Sequence, residues 1–155
     1  MKAKDFLKQL KKLDKMIDNK MIEKQQWVAI ATGTTSFSDG DRVQSSGSQQ
    51  KMADAVGKYI DIEAEIDQCI DRLIDIKKDV ISVIEQLNAT EYDVLHKVYV
   101  QYQTFDEVAV LYGKTYSWTT TVHGRALKNV QRILDQREGQ NNDEPINSED
   151  RLLCL

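Results

Sequence analysis

TFDEVAVLYGKTYSWTTTVHGRALKNVQRIL, running from Thr104 to Leu134, is the stretch whose reading decides the fold. It reads as two helices joined by a tight turn, the second longer and basic. Thr104 with Glu107 three residues on is a capping box, which starts the first helix. Val108, Ala109, Leu111 and Tyr112 give that helix an apolar face. Gly113 tolerates positive φ and ends it. Thr115 is a good N-cap for the next helix. There Val122, Ala126, Leu127, Val130 and Leu134 fall on one face at helical spacing. This is the sequence shape of a helix-turn-helix, whose second helix suits a DNA major groove.

The rest of the chain bounds that reading. At 155 residues it holds one domain or two small ones, and 41% hydrophobic residues suffice for a core. A single Pro and seven Gly favour long uninterrupted helices. Apolar residues rarely alternate with period two, so no sheet of consequence is expected. Net charge is −4, which excludes a uniformly basic nucleic-acid coat, but the charge is unevenly spread. Residues 1–24 carry eight Lys against four acids, and residues 51–87 carry five bases against nine acids. Residues 113–138 carry five bases against two acids, so positive charge returns at the second helix of the motif. Local phosphate neutralisation governs DNA affinity more than the total does.

Upstream, residues 3–31 read as an amphipathic helix, with Phe6, Leu10, Leu13 and Ile17 on one stripe and Met21, Trp27 and Ile30 further along. Residues 32–50, TGTTSFSDGDRVQSSGSQQ, read as a long loop. Residues 51–87 carry the strongest periodic signal. Met52, Ala55, Tyr59, Ile62, Ile66, Cys69, Leu73, Ile76, Val80, Val83 and Leu87 step by three and four, a heptad stripe flanked by Ile70, Ile74, Ile81 and Ile84. Such a helix spans on the order of 55 Å, against roughly 44 Å for residues 3–31. Thr90, with Asp93 three residues on, reads as the cap of a further helix whose inner face is Leu95, Val98 and Tyr99. Residues 139–155 are polar and acidic and read as a disordered tail. The expected architecture is therefore all-α. A helical hairpin or coiled coil over 1–87, with the loop 32–50, precedes a DNA-binding module over 88–138.

Residue types assign roles within the motif. Tyr116, Ser117, Trp118, Thr120, Thr121 and Gly124 are the base-reading candidates, being hydrogen-bonding or slim. Trp118 has an equal alternative in packing over the preceding helix. Thr104, Lys114, Thr115, Arg125, Lys128 and Arg132 are the phosphate candidates. His123 reads as a solvated surface histidine. Tyr59, Ile62, Ile66, Leu73 and Val80 are the candidates for joining subunits. Nothing reads as a catalytic, metal or cofactor site: His96 and His123 lack ligand-spaced partners, and Cys69 and Cys154 form no metal spacing. No run approaches transmembrane length, and the N-terminus has no leader-like apolar region, so a soluble cytoplasmic protein is expected.

The segment LNATEYDVLHKVYVQYQTFDEVAVLYGKTYSWTTTVHGRAL resembles region four of bacterial sigma factors. Matching marks are Val94-Leu95, Tyr102, Thr104, Glu107-Val108, Tyr112-Gly113, Thr115 and Arg125-Ala126-Leu127. Between Tyr116 and Gly124 this chain has neither Arg nor Glu, whereas sigma factors read their promoter element largely with charged residues. Residues 1–138 further resemble the ArpU/RinA-like family of small regulators of Gram-positive phages. The marks are the MKAKDFLKQLKKLDKMI opening, the GDRVQSSGS loop, YDVLHKVYV and GKTYSWTTTVHGRALKNVQ. The resemblance implies an oligomeric, double-stranded-DNA-binding activator of late phage genes, acting in a bacterial host beside its RNA polymerase. The alternative is a protein-interaction adaptor that docks on RNA polymerase or another regulator through the sigma-like module without reading DNA. Neither reading needs a membrane or a small-molecule substrate.

Overall fold

In the computed structural model, which describes residues 1–33 and 46–141, the chain is all-helical. Its elements are α1 (Ala3–Ala31), α2 (Ser46–Ile84), α3 (Ala89–Leu95), a π turn (His96–Val100), α4 (Phe105–Tyr112) and α5 (Tyr116–Asn141). The helical content is as expected, with boundaries that move. Ser46–Gln50, read as the end of a loop, belong to α2, where Gln50 Nε2 donates to Asp54 Oδ1 one turn on. The tail's first residues, 139–141, continue α5. The rest of that loop and tail, 34–45 and 142–155, lie outside the described residues. The cap of α3 is Asn88, not Thr90. Asn88 Oδ1 accepts from the Glu91 N–H at 2.9 Å, and Thr90 falls inside the first turn.

The chain divides into two packing units, one of Met1–Lys8 with Asp79–Leu155, the other of Gln9–Lys78. The division falls within α1 and within α2, and not at the Leu87–Asn88 turn, because the start of α1 and the last turns of α2 are both tied to α5. The Ala3 N–H donates to Gln131 Oε1 at 2.7 Å, and Arg137 donates to Asp79 Oδ1 at 2.8 Å.

In the unit of residues 9–78, α1 and α2 lie antiparallel. Lys20 pairs with Glu65, and Lys24 pairs with Glu63 at 2.8 Å, so the register descends on one helix as it climbs on the other. Leu10, Leu13 and Ile17 of α1 are buried, as are Ala55, Ile62 and Ile66 of α2. Trp27, Cys69 and Leu73 pack against the Ile17–Ile62–Ile66 cluster. Each such aliphatic side chain contributes about 1.5–3 kcal/mol on burial, against about 0–1 kcal/mol for an exposed ion pair. Packing therefore holds these helices together, and the lysine–glutamate pairs set their register. The stripe fades toward the C-terminal end of α1, where Met21 and Ile30 are exposed.

In the other unit, Val94, Val108 and Val122 make a common core for α3, α4 and α5, with Val98, Tyr112 and Trp118 packed against it. Ala126, Val130 and Leu134 carry the buried face along α5, and Ala3, Phe6, Leu7, Val80, Val83 and Ile84 are also buried in this unit. Leu111 departs from expectation. It is 61% exposed beside Val110 at 79%. An eight-residue helix buries one narrow stripe, and Val108, Ala109 and Tyr112 occupy it.

Candidate nucleic-acid interface

The turn between α4 and α5 is built from backbone requirements. Thr104 Oγ1 accepts from the Glu107 N–H at 3.2 Å, and Glu107 returns a carboxylate to the Thr104 N–H at 2.7 Å. At the other end Gly113 has φ 59° and ψ 35°. The Gly113 N–H reaches the Val110 carbonyl, and the Lys114 N–H reaches the Ala109 carbonyl at 2.9 Å. That pair of bonds is a Schellman motif, which requires a left-handed residue where Gly stands. Thr115 then accepts from the Trp118 N–H at 3.1 Å and opens α5. Three caps thus fix a two-helix unit with two residues, Lys114 and Thr115, between the glycine and α5.

The face of α5 turned away from the core is continuous. At about 100° per residue, Ser117, Thr121, Gly124, Lys128 and Arg132 fall within an arc of roughly 80°. Ser117, Thr121, Lys128 and Arg132 are exposed and Gly124 is half-buried. A side chain at Gly124 would meet nothing within 4 Å. Thr120 Oγ1 and Thr121 Oγ1 both donate to the Ser117 carbonyl, at 2.9 and 2.8 Å. These hydroxyls keep their lone pairs for an incoming donor. Lys114 and Tyr116 are exposed at the turn, with Tyr116 edge-on to Phe105.

Trp118 lies apart from this stripe. It is half-buried, 5.0 Å from the Tyr112 ring and packed on the valine core. Thr104 and Thr115 spend their hydroxyls as caps. Arg125 flanks the stripe, with its Nε committed to Glu91 at 2.7 Å. Among the residues read as joining subunits, Ile62, Ile66 and Val80 are buried within the chain, and Tyr59 and Leu73 are half-buried.

Behind the stripe is a polar layer that sequence reasoning missed. Glu91 is 1% exposed and accepts from Arg125 Nε and from Asn129 Nδ2 at 2.9 Å. Burial pulls its pKa upward, but hydrogen bonds from Asn129, Arg125 and Asn88, with the Arg125 charge, outweigh that and hold it below the usual glutamate value. Asp93 accepts from Lys97 at 2.9 Å and from the Tyr112 hydroxyl. Burial opposes these bonds, which nonetheless lower its pKa, while burial and the Asp93 bond push the Tyr112 phenol up to about 12. His123 is not a solvated histidine. It is 9% exposed, with its Nε2 2.8 Å from the Tyr99 hydroxyl and its ring 4.8 Å from Phe105. Burial, with the nearby Lys4 charge, lowers the His123 pKa, and burial raises that of Tyr99 to about 12. Partners 24 to 38 residues apart leave no local signal. One signal was readable: Thr119, fully buried, stands three before Val122 and seven before Ala126, on the core face.

Among the described residues, no group of three His, Cys, Asp or Glu is placed to hold a metal ion, and no helix is long and apolar enough to cross a membrane. No family model, no curated protein and no solved structure matches the chain.

Proposed function

We propose that this chain is a sequence-specific double-stranded-DNA-binding transcription regulator, an activator of late phage or prophage genes. In this reading α4 and α5 are a sigma-region-four-like helix-turn-helix, and residues 1–87 are a helical hairpin. The observation that carries it is the α5 stripe. Ser117, Thr121 and Gly124 form a slim, hydrogen-bonding surface at the N-terminal half of an exposed helix face, and Lys128 and Arg132 continue the same face. That order suits base edges first and phosphates beyond. The capped turn holds the face rigid, so little ordering entropy is lost on binding.

Fluorescence anisotropy with duplex DNA from the chain's own gene neighbourhood, at two salt concentrations and against scrambled DNA, tests the reading. Tighter, salt-dependent binding to the native duplex supports it, and equal weak binding to both overturns it. A second reading has its own observation. Val110 and Leu111 are exposed on α4 beside Asp106, a patch suited to a protein surface and not to phosphates. It corresponds to an adaptor that docks on RNA polymerase or another regulator, and failure of all DNA binding favours it.

A further inference from the structure

Glu91 is the one acid among the buried residues of α3, beside Val94 and Leu95. A carboxylate loses its hydration on burial, and an ion pair seldom repays that loss better than an apolar residue of the same size would. Both of its oxygens are engaged, one by Arg125 Nε at 2.7 Å and the other by Asn129 Nδ2 at 2.9 Å. Asn88 accepts from the Glu91 N–H at 2.9 Å and fixes the backbone beneath it. Stability alone therefore gives no reason for a charge at this position.

The other partner supplies the reason. The Arg125 side chain is 57% exposed, and Nε is its only engaged nitrogen among the described residues. Nη1 and Nη2, which carry four of the five guanidinium N–H groups, are left to solvent. A free arginine samples many rotamers, whereas one held at Nε by a buried, hydrogen-bonded carboxylate presents its remaining donors in a fixed plane. Such a fork fits a carboxylate or a phosphate. Its neighbours favour phosphate. Arg125, Lys128 and Arg132 lie within an arc of roughly 60° along about 10 Å of α5, and α5 has no acidic residue before Asp135. A single carboxylate would not need that row of cations, and a run of backbone phosphates would.

We infer that Glu91 is a positioning residue, which locks the Arg125 guanidinium so that Nη1 and Nη2 together grip one phosphate of the DNA backbone at the edge of the α5 stripe. Glu91 touches no DNA itself and acts through Arg125. The inference rests on the DNA-binding reading proposed above and adds to it a residue outside the helix-turn-helix. Preorganisation is the gain, because the arginine is already ordered before the duplex arrives.

Anisotropy of the full chain on the native and scrambled duplexes tests it, with circular dichroism to confirm the fold. Glu91→Leu fills similar space without charge and frees Arg125. It should weaken binding about twofold to tenfold, the cost of ordering one free side chain on binding, and equally on both duplexes, as a phosphate contact requires. The sign is decisive: this variant removes a negative charge near the DNA face, so a purely structural Glu91 would leave binding unchanged or tighter. Arg125→Lys keeps the charge and can pair with Glu91 but lacks the fork. It should lose a similar factor, and it tests the inference even where Glu91→Leu does not fold. The double variant should bind about as well as the weaker single one, since both changes remove the same contact. Three outcomes overturn the inference and leave the DNA reading standing: a folded Glu91→Leu that binds at least as tightly as the wild type, an Arg125→Lys that binds as the wild type does, or losses that multiply in the double variant. A wild type that binds neither duplex overturns the DNA reading and this inference with it.

Discussion

Arg125 Nε donates to Glu91 Oε1 at 2.7 Å, joining α5 to the first turn of α3 across 34 residues of chain. The carboxylate is 1% exposed while the arginine side chain remains 57% exposed. Removing the arginine leaves a buried carboxylate held by hydrogen bonds from Asn129 and Asn88 alone of the groups that lower its pKa, and breaking such pairs costs on the order of 3 kcal/mol. Arg125→Ala should therefore lower the urea midpoint clearly. Lys128→Ala and Arg132→Ala should leave it within about 0.5 kcal/mol, as exposed substitutions usually do. If the DNA reading holds, those two variants should each reduce the slope of log K against log salt by about one. Comparable melting of all three, or salt slopes that do not move, would contradict these roles.

Stability should fall with pH in two steps. The His123 pKa is depressed from its ordinary 6.5, so the unfolded chain takes the proton first. Its contribution is intact above about 6.5 and is lost as pH falls toward the lower folded value. Glu91 and Asp93 are depressed from 4.5 and 3.8, so their contribution is intact above those values and lost below them. Urea midpoints at a series of pH values should decline from about pH 7 to 5 and again below about 4.5. His123→Phe should flatten the upper step and Glu91→Gln the lower one. A wild-type midpoint that does not change between pH 7 and 5 would refute the histidine assignment.

The two steps also mark what the sequence could and could not reveal. Helices α1 and α2, the Thr104 capping box, the Gly113 turn and the Thr115 cap were legible because each depends on neighbours within four residues. The apolar stripe of α5 was legible for the same reason. Glu91, Asn129 and His123 were not, because their partners come from other helices and nothing local distinguishes a buried glutamate from a solvated one. Asn88 and Thr90 compete as caps two residues apart, and the backbone at Asn88, φ −66° and ψ 161°, is what resolves them. The α2 stripe read as one broad apolar surface. Only burial separates it into the part that α1 covers and the part left outward.

Ser117 and Thr121 stand one turn apart on the α5 stripe, both exposed. If they read bases, replacing both with Ala should cost about 1–3 kcal/mol per lost contact in specific binding and little in binding to scrambled DNA. Neither hydroxyl supports the core, so the melting temperature should hardly change. Anisotropy against both duplexes checks this. A parallel loss on the two DNAs would assign the residues to phosphate contact and overturn their role as readers.

Gly113 and Gly124 should respond to alanine with opposite signs. At Gly113 there is open space for a Cβ, yet φ is 59°, so the penalty is conformational. Gly113→Ala should destabilise by about 1 kcal/mol, the usual cost of left-handed backbone for an L side chain. Gly124 lies within α5, again with nothing within 4 Å of a Cβ. There the helix gains about 0.5–1 kcal/mol from alanine, because glycine loses more backbone freedom on folding. A helix that forgoes this gain at a half-buried position, between Thr121 and Lys128 on the same face, does so for close approach of a ligand in the reading proposed above. Gly124→Ala should therefore raise the melting temperature and weaken specific DNA binding at once. Thermal unfolding and anisotropy on the same preparation check the pair of signs. A stabilised variant that binds as tightly as the wild type would leave Gly124 without a part in recognition.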